Sequence, residues 1–457
     1  MKTRKEKDSV GELAIPEEAY YGVQTQRGYN NFQISGTRMN PVFIKNVTLI
    51  KKAAAKVNGK YGYISEEIQK AICTACDEIL EGKFDGQFIT DAIQGGAGTS
   101  VNMNVNEVIA NRATELLGGK KGEYLCHPND HVNMAQSTND VIPTAGKMTV
   151  LDLAVPLLDS IEALVMALGK KAEEFDGVIK MGRTQLQDAI PIRLGQEFKA
   201  YAHALKRDYN RIKNTLQEMY VVNLGGTAIG TSLNAQENYL KNVVPALSEE
   251  CGYTLEQADD LIDSTQNVDC FVAVSAVLKA CAVNLSKMSN DLRLMSSGPK
   301  TGLGEITLPA KQNGSSIMPG KVNPVIPEVV SQVAFLVIGN DMTVSMAAEG
   351  GQLELNAFEP VIFYKLFESM TCLTNAIKTL TVNCIEDIKA NKKHCEELMH
   401  SSVGVVTALC PYIGYKKAAE IAKEALKRDM KVKDLVLWYG LMDKEELERI
   451  LDPYAMT

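Results

Sequence analysis

The sequence predicts a mainly α-helical protein built around a central, long, antiparallel five-helix bundle. Three observations carry this expectation. Between about residues 145 and 390, apolar residues recur in alternating steps of three and four, which puts them on one side of a helix. The periodic stretches run for roughly 25 to 30 residues, or ~40 Å at 1.5 Å per residue. Several are apolar beyond a single stripe and so need neighbours on more than one side.

Taken in order, residues 1–140 read as a mixed, mostly helical domain of shorter elements, interrupted by the turn-rich "QGGAGTSVNMN" and "HPNDHVNMAQSTND". Residues 141–390 hold the long helices. Ala154, Leu157, Ile161, Leu164 and Leu168 form a first apolar seam, and Phe198, Ala202, Leu205, Tyr209, Ile212, Leu216 and Met219 a second. A third runs through Val274, Leu278, Cys281, Leu285, Met288, Leu292 and Met295, and a fourth through Leu366, Met370, Leu373, Ile377, Leu380 and Cys384. A further helix at about 325–347 is apolar on more than one side ("VVSQVAFLVIG"). Residues 391–457 form a small C-terminal helical domain with helices at "KKAAEIAKEALKRD" and "DKEELERIL". Outer faces that are still apolar predict that the bundles of several chains associate, in a closed symmetric oligomer.

Composition narrows the function. The 48 basic and 56 acidic residues of the 457-residue chain give a net charge of -8, with no basic run beyond "KTRKEK", which argues against nucleic acid and anionic membranes as partners. No apolar stretch follows the N-terminal lysines to make a signal peptide, and no uninterrupted apolar segment reads as long enough to span a bilayer, so a cytoplasmic protein is expected. The ten cysteines are scattered, as free thiols in a reducing compartment would be. Cys73 and Cys76 have C-x-x-C spacing, yet no second pair answers them, and they read as small apolar side chains on one helix. No metal site is expected among the five histidines.

The polar clusters carry the chemistry. "GSSIMPGKVNP" at 314–324 is not a nucleotide loop, because five residues separate Gly314 from Gly320 and Val322 follows Lys321, where a magnesium-binding hydroxyl is required. Three other segments, Gly98–Asn104, Gln136–Asp140 and Arg183–Asp188, are equally rich in hydroxyls and amides, and all four are expected at the ends of long helices. Singly, such residues cap helices and make turns. Brought together, hydroxyls, amides and one lysine suit a dicarboxylate.

These segments resemble the signature sequences of the fumarase and aspartase superfamily of lyases. The similarity extends over nearly the whole chain, through "IPEEAYYGVQTQR", "GTSVNMNVNEVIANRA", "HPNDHVN", "QSTND", "GRTQLQDAIP" and "GSSIMPGKVNP". Fumarases usually carry "GSGTQ", "QSSND" and "GRTHLQD", whereas "GAGTS", "QSTND" and "GRTQLQD" here are similar to aspartate ammonia-lyases. Gln185 stands where fumarases place a histidine paired with a glutamate matching Glu328. An amide cannot titrate, so a water-activating role for that dyad fails on chemical grounds.

The resemblance implies a three-part fold whose bundle assembles into a tetramer, with active sites shared between subunits. It implies reversible deamination of L-aspartate to fumarate and ammonia through an aci-carboxylate carbanion, with Ser315 as general base and Lys321 as its catalytic partner. Thr99, Ser137, Thr138 and Ser316 match the donors to the β-carboxylate, Thr184, Lys321 and Asn323 those to the α-carboxylate, and Asn139 the position near the leaving amine. Gln185 is placed beside the substrate, with Glu328 in support. No cofactor is required, and a divalent cation such as Mg2+ enters only as an activator. The alternatives are a class II fumarate hydratase and a structural relative that has lost the chemistry.

Overall fold

The apolar periodicity becomes helix wherever it is strong. The computed structural model describes residues 2–457, and helices dominate it, the strands among the described residues being confined to two-stranded sheets. Five helices of 22 residues or more fill the middle of the chain: α5 (Thr138–Glu174), α6 (Leu194–Thr215), α9 (Asp269–Met295), α10 (Val325–Glu349) and α11 (Glu359–Asn383). The four seams are buried along their lengths, apart from Tyr209, which is half-buried. The second seam outlasts its helix: α6 ends at Thr215, and Leu216–Tyr220 continues as a tighter 3-10 turn that still buries Leu216 and Met219. The chain forms two compact units, one of residues up to 158 with 210–280 and 336–372, the other of 159–209, 281–335 and 373–457, so every boundary between them falls inside one of these long helices.

The first unit starts with the hairpin β1 (Thr3–Lys7) and β2 (Glu12–Pro16), followed by α1 (Val23–Asn31), α2 (Pro41–Lys60), α3 (Glu66–Leu80) and α4 (Thr99–Leu116). Ser65 caps α3 by accepting from the Ile68 amide, and Asn40 caps α2 by accepting from that of Val42. α2 lies against α3 and against α7 (Glu237–Cys251), which precedes the short α8 (Asp263–Gln266). Helix α4 is unusual in burying polar side chains. Asn104 holds the Gln87–Ile89 backbone and Asn111 bridges the Tyr20 carbonyl and the Gly122 amide, so this helix pins the loops around it. Elsewhere the core is aromatic: the Phe363 ring stacks on Phe367 at 5.6 Å and meets Phe271 edge-on at 5.0 Å. Gly146 admits that ring, since a Cβ there would stand 2.3 Å from Phe363 Cζ.

In the second unit an antiparallel hairpin, β3 (Ile179–Thr184) and β4 (Gln187–Arg193), links α5 to α6, and α12 (Lys392–Ser401) packs on β3. The C-terminal part has α13 (Cys410–Ile413), α14 (Tyr415–Arg428), α15 (Val432–Trp438) and α16 (Lys444–Ile450) around Leu409, Ile421, Leu435 and Leu447. Trp438, the only tryptophan of the sequence, lies on its surface under the Arg428 guanidinium.

By length and composition α9 and α10 could each cross a bilayer, a test that the core helix of a soluble protein also passes, and charged residues interrupt both, Lys279 and Lys287 in the first, Glu328 and Asp341 in the second. Asp341, buried on α10, is tied to Ser275 Oγ of α9 at 2.8 Å and to Lys279. Cys76 is buried and Cys73 half-buried on α3, and both are free thiols.

Candidate active site

The expected residues fall in both units. Thr99, Ser137, Thr138 and Asn139 belong to the first, and Thr184, Gln185, Ser315, Ser316, Lys321, Asn323 and Glu328 to the second.

Thr99 is the first residue of α4. Gly96, Ala97 and Gly98 all have positive φ, and this turn leads into the N-terminus of the helix, where the Thr99 amide donates to the Gly96 carbonyl and the Val101 amide to Gln94 Oε1, both at 2.9 Å. The Thr99 hydroxyl donates to the Gly96 carbonyl at 2.7 Å. Thr99 also lines a cavity of about 610 Å³ with Asp8, Arg27, Ser100, His127 and Asn129.

Thr138 and Asn139 open α5, and Ser137 immediately precedes it. Asp140, fully buried, holds them: one carboxylate oxygen accepts from the Ser137 amide at 2.9 Å, the other from the Gly225 and Thr227 amides at 3.1 and 3.0 Å. Burial pushes this carboxyl up to about 6, against those hydrogen bonds and the Lys51 charge, which pull it down. Pro143 has no N–H, so the Asn139 carbonyl four residues earlier is left outside the helix ladder, and Asn223 Nδ2 donates to it at 3.0 Å. The Asn139 side-chain nitrogen donates to the Ala228 carbonyl at 2.7 Å.

Thr184 and Gln185 do not lie at a helix end as expected. They form the exposed tip of the β3–β4 hairpin, where Thr184 pairs with Gln187 across Gln185 and Leu186, whose φ values are 53° and 63°. Two consecutive left-handed residues make the tight turn that matches the twist of a hairpin. The stem is held by a buried charge cluster that the sequence did not disclose. Arg183 reaches Glu305 at 2.6 Å, Lys180 reaches Glu197 at 2.8 Å and Glu305 at 3.1 Å, and burial pushes the Glu197 carboxyl up.

The Ser315 loop closes on itself. The Gly314 amide donates to the Lys321 carbonyl at 2.9 Å and Asn323 Nδ2 donates to the Gly314 carbonyl at 2.7 Å. A Cβ on Gly314 would stand 2.5 Å from that Lys321 oxygen, so only glycine permits this closure. Inside it, Ser315 Oγ accepts from the amides of Ile317 at 3.3 Å and Met318 at 3.1 Å. A hydroxyl oxygen facing two N–H groups is better placed to carry negative charge than one in solution. Ser316 and Lys321 are exposed, and Ile317 at the tip is 84% exposed. Glu328, on the first turn of α10, stands 4.0 Å from Arg293.

Lys51 was missed outright. It is fully buried on α2 and donates to Asn133 Oδ1 and Gln136 Oε1, just before Ser137. Its register was the available signal, for it continues the apolar stripe of Ile44, Val47 and Ala54. Among the described residues no group of three or more His, Cys, Asp or Glu side chains could hold a metal ion.

The chain matches the lyase family over residues 11–339 and the family described as fumarase C C-terminus over 405–457. It is 52% identical over 455 residues to the aspartate ammonia-lyase of Bacillus subtilis, covering 99% of this chain and 96% of that protein. With that of Escherichia coli it shares 49% over 451 residues, covering 98% and 94%. Among solved structures, a fumarate lyase:delta crystallin from Brucella melitensis bound to cobalt is 49% identical with a TM-score of 0.96, and the class II fumarase from Schistosoma mansoni 35% identical with a TM-score of 0.96. Both likenesses cover 100% of this chain and 99% of the other. Helices, loops and relatives along the full length thus agree, and the chain belongs to the lyases of the fumarase and aspartase superfamily, in the aspartate ammonia-lyase family.

Proposed function

We propose that the chain catalyses the reversible deamination of L-aspartate to fumarate and ammonia. The observation that carries the reading is the Ser315 hydroxyl, whose oxygen faces two loop amides. As an alkoxide it takes the proton from the carbon beside the β-carboxylate. The electron pair moves into that carboxylate, giving an aci-carboxylate with two negative charges on its oxygens. It then returns to form the carbon-carbon double bond as the C–N bond breaks, and ammonia leaves with the C–N pair. Stabilising the dianion is the main catalytic demand, and donors fixed in advance meet it best. In this reading Thr99, Ser137, Thr138 and Ser316 hold the β-carboxylate, Thr184, Lys321 and Asn323 the α-carboxylate, and Gln185 lies beside them with Glu328 in support. Asn139 faces the leaving amine through Oδ1, its nitrogen being spent on Ala228.

We further infer a homotetramer with sites composed from several chains, each chain keeping the three parts 1–140, 141–390 and 391–457. The apolar face of α10 supports it: Phe335, Met342 and Met346 are exposed, while Val330, Val337 and Val344 are buried. Covering each exposed side chain contributes on the order of 1 kcal/mol. A divalent cation such as Mg2+ is kept as a candidate activator, since the Brucella melitensis relative is described as bound to cobalt.

The likeness to a class II fumarase keeps a hydratase as the second reading. Incubation with fumarate plus ammonium, and with fumarate in water alone, separates the two. Aspartate formed only in the first supports the ammonia-lyase, and malate formed in both overturns it.

A further inference from the structure

Two adjacent lysines of α2 have opposite fates. Lys52 reaches the surface and pairs with Asp77 at 2.7 Å and Glu250 at 2.9 Å. Lys51 is 0% exposed, and its hydrogen bonds, 2.8 Å to Asn133 Oδ1 and 3.0 Å to Gln136 Oε1, go to neutral amide oxygens. Burying an ammonium without a carboxylate against it is costly, and burial pushes Lys51 down to about 7 in spite of the nearby Asp140 charge. For stability alone, an apolar side chain of the same length would serve better here.

The groups around it run in one direction. Asn133 Oδ1 accepts from Lys51 and also from Asn106 Nδ2 at 3.1 Å and Asn102 Nδ2 at 3.3 Å. Asn102 Nδ2 in turn stands 3.4 Å from Thr138 Oγ1. A threonine hydroxyl has one proton and two lone pairs, so an oxygen occupied by an N–H keeps its own proton for another acceptor. Asn133 Nδ2 donates to the Gln136 carbonyl at 3.2 Å, and Gln136 Nε2 to those of Val132 and Met134, which fixes the turn leading into Ser137.

We propose that Lys51 is a positioning residue for the deamination: it locks the Asn133–Gln136 turn and, through Asn133 and Asn102, turns the Thr138 hydroxyl proton outward. This rests on the reading that Thr138 donates to the substrate β-carboxylate. Negative charge builds on that group only as the proton leaves, so a hydroxyl fixed in the donating orientation acts on the transition state more than on bound aspartate.

The test is Lys51→Met, alone and combined with Thr138→Val, in the full-length enzyme. Lys51→Met is expected to melt no lower than wild type, to lose about 30-fold or more in kcat and to keep KM within about threefold. In the Thr138→Val background the same change should cost less than about threefold, because both act through one hydroxyl. A Lys51→Met enzyme with wild-type kcat, or one that loses as much in either background, overturns the proposal. An unimpaired Thr138→Val enzyme removes the underlying site reading, and the proposal with it. Should Lys51→Met not fold, Asn102→Leu severs the link and leaves the ammonium in place: a loss confined to kcat supports the proposal, and wild-type kcat overturns it.

Discussion

Ser315 Oγ accepts a hydrogen bond from the backbone amide of Met318, 3.1 Å away, within a loop whose ends are joined by the Gly314 amide and the Lys321 carbonyl. A serine is far too weak an acid to be a base unaided, and this contact gives its oxyanion a partner before substrate arrives. Ser315→Ala should abolish deamination while costing about 1 kcal/mol of stability or less. Activity within about tenfold of wild type, measured on enzyme of unchanged melting temperature, removes Ser315 from the base role.

Lys321 is exposed beside this loop and is assigned to the α-carboxylate. Lys321→Met should therefore raise KM for aspartate, and Ki for a non-reacting dicarboxylate, by about 30-fold through loss of one charge-assisted contact. Unchanged inhibitor affinity contradicts the assignment.

Composite sites can be tested by mixing. Ser315→Ala and Thr184→Val chains, each inactive as a homo-oligomer, are dissociated together and reassociated. If the two residues reach one site from different chains, some mixed sites receive both wild-type residues and activity returns. Demonstrated chain exchange without recovery assigns both residues to the same chain in each site.

Lys51 also predicts a pH effect. Its pKa is about 7 in the folded protein and near 10.5 when unfolded, so the unfolded chain binds more protons between those values and stability gains from this group as pH rises through that window. The charges acting on it are Asp140 and, weakly, the Cys76 thiol. Melting temperatures followed from pH 7 to 9 should therefore converge, with Lys51→Met ahead at pH 7 and its lead shrinking toward pH 9. A constant gap would falsify the assignment of this titration to Lys51.

Gly146 offers a test of packing. A methyl group there would stand 2.3 Å from the Phe363 ring, whose neighbours Phe367 and Phe271 leave it little room to retreat. Gly146→Ala should cost about 1–3 kcal/mol despite its better helix propensity, read as a lower midpoint in urea. A neutral or stabilised variant would show that the ring moves freely.

The seams were legible because a helix buries every third or fourth residue whatever its distant neighbours are. Val274 through Met295 could be read one turn at a time, and the loop around Ser315 stood out because it concentrates unusual residues in one short stretch. The hairpin at Thr184 was not, since Gln185 and Leu186 adopt positive φ without the glycine or asparagine that marks such turns. Lys51 escaped for another reason: Asn133 and Gln136 lie 82 and 85 residues away, and "KK" in a helix reads as solvated charge until the packing is known. The Arg183–Glu305 pair, 122 residues apart, is of the same kind.

Trp438, 60% exposed in α15 under Arg428, gives the protein an uneven optical signature. Indole emission comes from one point near the C-terminus, while the stacked Phe363 and Phe367 rings have no tryptophan beside them in the sequence to report on their core. Fluorescence can therefore fade when the last few helices loosen, with the long helices still folded, and ellipticity at 222 nm, whose intensity scales with helical residues, will register the later event. A denaturation followed by either signal alone will look like a single step, and the separation between the two midpoints is the quantity that tells whether the C-terminal helices melt on their own.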